Sequence, residues 1–320
     1  MVGAPPLIRV EIHDYARLHA HLSPFLPESL TILGPYEQYR DHPSDIPIWA
    51  SFALEEPPPA LFAMFMLGPP VAEYQSRLFC SADSSVDEPT PEEEAFIASF
   101  MQAGLRAAFE HVAATSAIEL PVGKLLVGSI HNKWSKCLHA LPQAIIHVPC
   151  RKVLLPPSMA RVFADSASDA RLPPGARVTR LETRDLGTVL SYNKIARTAA
   201  YVESRSDQSV CIRAPGPDGE EVPAGWVYVH MDSSPGQLHV VDEFRRCGLG
   251  GELMRRAVAL RLRREEERAK RTFDEPADMT EGWNTVDVEE GNMEGAGFYG
   301  RLPGWEQGWL SFWARFAAPE

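Results

Sequence analysis

Short apolar runs alternate with amphipathic stretches along this chain, and the pattern predicts strands and helices in both halves. In the first half, strands are predicted where apolar runs are bounded by Pro, Gly or Asp: 29–34, 46–54 and 60–67. A helix is predicted at 90–114, because its first turn is acidic and Phe96, Phe100 and Ala103 fall on one face. A further strand at 124–130 and a helix at 133–141 complete this half.

The second half repeats a similar order of elements. Strands are predicted at 176–182, 208–214, 225–231, 236–241 and 284–290, and helices at 184–205 and 250–271. Strands that alternate with helices around a mostly antiparallel centre make the fold class α+β, or mixed α/β. The small, polar and proline-rich segment "DSASDARLPPGA" is the predicted boundary, with a linker at 166–175 between domains at 1–165 and 176–320.

Composition narrows the function classes. The chain has 320 residues, and its formal net charge of −12 argues against a nucleic-acid partner, which would require a basic face. The cysteines are scattered without CxxC spacing, which is typical of reduced thiols in an intracellular protein. His19 and His21 do not share a helical face and HExxH is absent, so no metal is expected.

No membrane association is predicted. The amino terminus lacks the basic start and long apolar core of a secretory signal, and "PALFAMFML" is too short to cross a bilayer. We expect a soluble cytoplasmic protein, with organelle targeting left open. The apolar terminal run "GWLSFWARF" could pack internally or against a second chain, so an oligomer is possible.

A glycine-rich turn in "HVVDEFRRCGLGGELMRRAV" is the first candidate for chemistry. A strand that ends in glycines and opens a helix presents several backbone N–H groups to an anion, and the helix dipole adds to the attraction. Gly248, Gly250 and Gly251 allow close approach, and Arg245 and Arg246 add positive charge, so a diphosphate would fit. By itself the string is short and common, and it matches neither a dinucleotide fingerprint nor a Walker A loop.

The wider context is more specific. The order strand, Arg-x-x-Gly-x-Gly, helix, strand, then Asn292 and Tyr299 resembles the GNAT acyltransferase superfamily. Within it, "GQLHVVDEFRRCGLG" and "VDVEEGNMEGAGFYGRLPGW" resemble the glycine N-acyltransferase-like group, and "LPESLTILGPYEQYR" is similar to the amino-terminal region of that group. The resemblance implies a tandem GNAT-like fold. The first copy would be degenerate, because it has acidic "SADSSVDEPTPEEEA" where a cofactor loop would need glycines and positive charge.

The resemblance also implies site residues in the second copy, with acetyl-CoA or another acyl-CoA as cosubstrate. The residues implied to bind the diphosphate of coenzyme A are Arg245, Arg246, Cys247, Gly248, Leu249, Gly250 and Gly251. The strand edge at Val240 and Val241 would bind the pantetheine arm, and Asn292 would orient the cofactor. Tyr299 stands where the family places the residue that protonates the departing thiolate.

The base that deprotonates the amine is the open question. The nearest candidates are His239 and Asp232. His239 lies on the predicted strand 236–241 that leads into the glycine turn, which we call the signature strand, and Asp232 lies in the preceding turn. His239 could act directly because an unperturbed imidazole is largely neutral at pH 7, but it could also be an ordinary strand histidine. Asp232 suits a turn, and a chain of waters could carry the proton instead. Cys247 is not expected to act covalently, since no His–carboxylate pair is evident beside it.

The sequence therefore predicts an N-acyltransferase that transfers an acyl group, with acetyl favoured, directly from acyl-CoA in a ternary complex. The expected acceptor is the amine of a small molecule or an amino acid. Two alternatives stay open: a protein or peptide N-acetyltransferase, and a GNAT-derived module that binds or senses acyl-CoA without turnover.

Overall fold

A computed structural model describes residues 5–11, 15–41, 46–115, 123–193, 195, 197–216, 219–271 and 276–319. Its helices are α1 Tyr15–Leu22, α2 Leu30–Tyr39, α3 Pro91–Thr115, α4 Ser135–His139, α5 Pro157–Asp165, α6 Leu186–Ser191, α7 Ala199–Ser204, α8 Leu249–Ala269 and α9 Met293–Tyr299. Its strands are β1 Ile8–Arg9, β2 Ile48–Ala50, β3 Ala63–Leu67, β4 Ser76–Cys80, β5 Lys124–His131, β6 Ala144–Leu155, β7 Arg177–Thr179, β8 Ser209–Pro215, β9 Glu221–Val229, β10 Pro235–Val240, β11 Asn284–Glu289 and β12 Glu306–Ala317.

The strands form two sheets whose order shows an internal duplication. One sheet has the order β1-β2-β3-β4-β5-β12-β6-β11, and the other has the order β10-β9-β8-β7. Strands β11 and β10 contact each other where the sheets meet. The combined order is therefore β1-β2-β3-β4-β5-β12-β6-β11-β10-β9-β8-β7. If β1 is exchanged with β7, β2 with β8, and so on to β6 with β12, this order is simply reversed. The two halves are thus two copies of one arrangement, related by a pseudo-twofold axis between β12 and β6.

The last strand of each copy is shared. Strand β12, from the end of the chain, lies between β5 and β6, while β6 lies between β12 and β11. All of these pairings are antiparallel, and the β12–β6 pairing is long, running from Glu306–Leu154 to Phe316–Ala144. Each copy therefore lacks a complete sheet without a strand from the other.

Three buried apolar clusters hold the layers together. In the first copy, Phe100 and Leu105 of α3 pack on β3 and β12, and in the second copy Leu253 and Val258 of α8 pack on β8 and β11. The third cluster spans both copies: residues of α2 pack with residues of α7 and β9, including Trp226. The copies thus form one core on the sheet face opposite α3 and α8.

A carboxylate at the centre of the shared sheet connects four strands. Asp287 of β11 forms an ion pair with Lys152 of β6 at 3.1 Å, and its two oxygens accept hydrogen bonds from Ser129 of β5 and from Ser311 and Trp313 of β12. Lys152 also donates to Ser129 at 3.0 Å. Because a buried charge is costly unless it is paired, this network favours the one strand order that pairs it.

The structure corrects several element predictions. The run 29–34, predicted as a strand, belongs to helix α2, in which nearly every residue is buried. An apolar run that is buried on all sides has no alternation that distinguishes strand from helix. The helix predicted at 184–205 is two short helices, α6 and α7. Strands β4, β6 and β12 were not predicted, and the terminal apolar run packs inside the molecule as part of β12.

Candidate functional site

The turn between β10 and α8 has the backbone geometry of an anion site. Arg246 and Gly248 are both left-handed, with φ of 63° and 77°. Turns of this kind direct successive N–H groups to one side, and the first N–H groups of a helix have no intrahelical acceptor. In the described part of the chain, no backbone acceptor is found for the N–H groups of 246–251, whereas those of Phe244 and Arg245 are bonded within the turn.

The back of this turn is held by the linker. The N–H of Arg171 donates to the carbonyl of Cys247 at 2.8 Å, and a Cβ on Gly248 would lie 3.0 Å from the Cα of Ala170. Arg245 is folded back onto the strand end, where it donates to the carbonyl of Val240 at 3.0 Å, while Arg246 is exposed. The linker thus packs against one side of the loop, and the N–H groups of 246–251 keep no backbone acceptor among the described residues.

Strand β10 is irregular and has one open edge. Its register on β9 shifts between Gly236 and His239, and Gln237 between them has a φ of 50°. Among the described strands, β10 is the last of its sheet, so the edge beyond Val240 carries no ladder. In the first copy the corresponding strands are paired, Ser76 with Val127 and Arg77 with Gly128. This ladder covers only the first two residues of β4, whereas in the second copy the described β10 has no ladder on this edge at all.

The corresponding cleft of the first copy is filled by side chains. Trp134 is 1% exposed and its Nε1 donates to Asp83, which also accepts from the N–H of Cys80 at 3.0 Å. Lys133 donates to the carbonyls of Ala82 and Ser85 at 2.6 and 2.8 Å. Burial raises the pKa of Asp83 to about 7. The segment after β5 therefore seals the loop after β4, and a carboxyl group occupies the place where a diphosphate would need cations.

Helix α9 packs beside α8 and carries Asn292 at its start and Tyr299 at its end. Asn292 precedes the helix and its Oδ1 accepts from the N–H of Gly295 at 2.9 Å, as a helix cap. Tyr299 is 8% exposed, its hydroxyl lies 4.0 Å from the Met254 sulfur of α8, and burial raises its pKa. Helices α8 and α9 touch closely, since a Cβ on Gly250 would lie 3.0 Å from the Phe298 ring.

The two predicted base candidates lie in different surroundings. The ring of His239 packs against both Tyr192 and Trp226, with centroid distances of 4.3 and 4.9 Å. Asp232 forms an ion pair with Arg77 of the first copy at 2.9 Å. Burial alone would raise the pKa of Asp232, but the nearby guanidinium outweighs it and holds that pKa well below its usual value. Asp232 thus connects the two copies as an ionised carboxylate, while His239 remains on the signature strand.

One histidine of this region was missed by the sequence analysis. His230 follows β9, and its Nδ1 lies 2.9 Å from the hydroxyl of Tyr201 in α7. Strand alternation could have indicated it, because His230 is two residues beyond Tyr228 and on the same face. Its partner Tyr201 is far away in sequence, and no local pattern connects the two.

The described residues include no group of three or more His, Cys, Asp or Glu side chains that could hold a metal ion. No helix in the described ranges is both long and apolar enough to cross a membrane.

Comparisons with known proteins identify the fold. No protein-family model matches the sequence, and no curated protein matches it. Among solved structures, a Drosophila protein covers 98% of this chain and 99% of its own, with a TM-score of 0.62 at 15% identity.

Two further solved structures are similar to nearly the whole of this chain. A tandem GNAT protein from the clavulanic acid biosynthesis pathway covers 98% of this chain and 99% of its own, with a TM-score of 0.51 at 13% identity. A GCN5-related N-acetyltransferase from Sphaerobacter thermophilus covers 98% of this chain and 96% of its own, with a TM-score of 0.54 at 11% identity. At these identities the likeness establishes the fold alone: the chain is a mixed α/β protein with a tandem GNAT fold, as predicted. The closer relation to the glycine N-acyltransferase-like group stays a prediction.

Proposed function

We propose that this protein is an acyl-CoA-dependent N-acyltransferase whose second copy binds the cofactor and transfers its acyl group directly to the amine of a small molecule or amino acid. The observation that carries the proposal is the loop at 246–251, whose N–H groups have no backbone acceptor among the described residues and which follows a strand with an open edge. A diphosphate needs such donors, and an amide-containing arm needs such an edge.

The dimensions of the strand agree with this assignment. With the diphosphate at the loop, the pantetheine arm would run back along the open edge of β10. At about 3.3 Å per strand residue, an arm of roughly 15 Å covers four to five residues. The thioester would then reach the irregular stretch between Gly236 and His239, where the ladder to β9 is interrupted and backbone N–H groups can serve a developing oxyanion.

Tyr299 is suited to protonate the leaving thiolate. Its raised pKa keeps the phenol protonated at neutral pH. Among the described residues, the hydrogen-bond acceptor found for its hydroxyl is the Met254 sulfur, and a thioether is a weak acceptor. The proton is therefore available to a stronger acceptor, such as a thiolate that forms between α8 and α9.

The first copy supports the site without binding a cofactor of its own. Its cleft is sealed by Trp134 and Asp83. Its helices pack against β9 in the shared core, on the sheet face opposite α8. We assign it the role of a wall on the acceptor side of the second copy.

The assignment is tested by binding and turnover. We expect coenzyme A to stabilise the protein against thermal unfolding, and acyl-CoA to release free thiol when a suitable amine from a panel is present. Thermal stabilisation without amine-dependent thiol release across the panel would overturn the transferase assignment.

The loop itself is tested by a pair of variants at Gly251, in the first turn of α8. A Cβ there meets nothing closer than Leu302 at 3.8 Å, and an acidic residue near a helix amino terminus is favourable for folding. We expect Gly251→Glu to fold but to weaken coenzyme A binding at least about tenfold through charge repulsion. Gly251→Gln, of equal size and no charge, should bind within about threefold of wild type. Equal affinity of the two variants would contradict the loop assignment.

A further inference from the structure

His230 lies against the irregular part of the signature strand. A Cβ on Gly236 would be 2.5 Å from the His230 Nε2, so the imidazole occupies the space that a side chain at position 236 would need. Gly236 pairs with Tyr228 and marks the start of the register shift. This edge of the ring is therefore beside the stretch of β10 that the thioester would reach.

The ring is oriented by a buried phenol. The hydroxyl of Tyr201 lies 2.9 Å from Nδ1 and accepts a hydrogen bond from the N–H of Met231 at 3.3 Å. A base at Nε2 requires the tautomer in which Nδ1–H donates to this hydroxyl, because Nε2 then carries the free lone pair. Tyr201 is buried, whereas His230 keeps part of its surface accessible. The arrangement is that of a base whose outer nitrogen is directed by a fixed partner.

The charges around the ring keep it neutral. Burial and the guanidinium groups of Arg197, Arg205 and Arg77 lower the pKa of His230 to about 3, and Asp232 opposes them in part. Asp232 is already paired with Arg77. In the described part of the chain, one N–H group of each of these arginines is buried without a hydrogen-bond partner. The phenols of Tyr201 and Tyr228, which also face the ring, stay protonated because burial raises their pKa.

We propose that His230 is the catalytic base that accepts the amine proton during acyl transfer, with Tyr201 as its positioning residue. This inference depends on the proposed function. The amine nitrogen bonds to the thioester carbonyl carbon, and the carbonyl electron pair moves to oxygen. When that pair returns, the C–S bond breaks and the thiolate takes the proton of Tyr299, while the proton on nitrogen passes to Nε2 of His230. A nitrogen bonded to the tetrahedral carbon is far more acidic than a free ammonium, so a weak base suffices.

His239 remains the alternative on the same face of the sheet. Its ring packs against Tyr192 and Trp226. The His230 ring, in contrast, has a hydroxyl on its inner nitrogen and its outer nitrogen next to the backbone of β10. The geometry therefore favours His230.

The test compares His230→Gln with His139→Gln, an exposed histidine of α4 in the first copy. With acetyl-CoA and an amine that wild type acetylates, we expect His230→Gln to lower kcat at least about 100-fold. The KM for acetyl-CoA and the affinity for coenzyme A should stay within about twofold, because general-base catalysis does not contribute to cofactor binding. Tyr201→Phe should lower kcat about tenfold, and His139→Gln should behave as wild type.

The pH profile gives a second measurement that does not depend on the fold of the His230 variant. Arg197→Gln removes a cation that lowers the pKa of His230, so the acidic limb of kcat should move to higher pH. An unmoved limb, or a His230→Gln enzyme within threefold of wild-type kcat, would overturn the inference. If wild type transfers no acyl group to any amine, the proposed function fails first, and that result is seen before any variant is made.

Discussion

Several proposed site residues have a structural role in addition to a chemical one. Asn292 caps α9, and Tyr299 packs on Trp305 with a ring-centroid distance of 5.5 Å. These roles are compatible with chemistry, since a cap fixes the start of the helix that carries Tyr299 and the packing fixes its ring. A functional group held by its own packing is pre-organised.

Tyr299→Phe separates the two roles. The ring contacts remain, and the lost hydroxyl interacts with a weak acceptor, so the free energy of unfolding should change by less than about 1 kcal/mol. Because the thiolate would lose its proton donor, kcat should fall about 100-fold while the affinity for coenzyme A is retained. Chemical denaturation and steady-state kinetics measure both quantities. Unchanged kcat would make Tyr299 a packing residue alone.

At the scale of elements, the sequence predicted local features well and non-local ones poorly. The glycine turn and helices α3 and α8 were found because capping, charge and periodicity are local signals. Strand β12 was missed because nothing near 306–317 records that its partners are β5 and β6. Helix α2 was mistaken for a strand because tertiary burial removed its polar face, and Gly34 in it meets the backbone of Asp232. Likewise, the site partners Tyr201 and His230 meet only through folding.

The sealed loop of the first copy carries a pH signature. The pKa of Asp83 is raised by burial to about 7 in the folded state, above its unfolded value. The favourable contribution of Asp83 to the free energy of unfolding is therefore complete below its unfolded pKa and is lost as pH rises to about 7. We expect the stability of Asp83→Asn relative to wild type to rise between about pH 4 and 7, by up to about 1.4 kcal/mol per pH unit, and to stay constant at higher pH. Urea unfolding at several pH values measures this, and a pH-independent difference would contradict it.

At the scale of the whole molecule, the shared strands make the copies interdependent. Within the eight-stranded sheet, β12 of the second copy pairs with β5 of the first and β6 of the first copy pairs with β11 of the second, and one core spans both copies. The predicted division at 166–175 separates the chain into two segments, but the sheet crosses between them. This explains how a copy with a filled cleft can still be needed by its neighbour.

Cutting the chain in the linker tests this interdependence. A protease site inserted after Leu172, which is 41% exposed, would leave β6 and β12 on separate fragments. We expect the cut protein to elute from a sizing column as one species at the position of the uncut protein, since the β12–β6 pairing remains intact. Separate elution of two folded fragments would show that the copies are independent. An uncut sample carrying the same insertion is the control.

The position of β12 also determines when the molecule can form. Strand β5 leaves the ribosome long before its neighbour β12, which begins about 175 residues later in the chain. At roughly 5–20 residues per second of synthesis, the wait between them is on the order of 10–30 s. During that interval the nascent first copy exposes the edge of β5, and an exposed strand edge is a site of mispairing between chains. The edge of β5 is therefore exposed to such mispairing until β12 has been made.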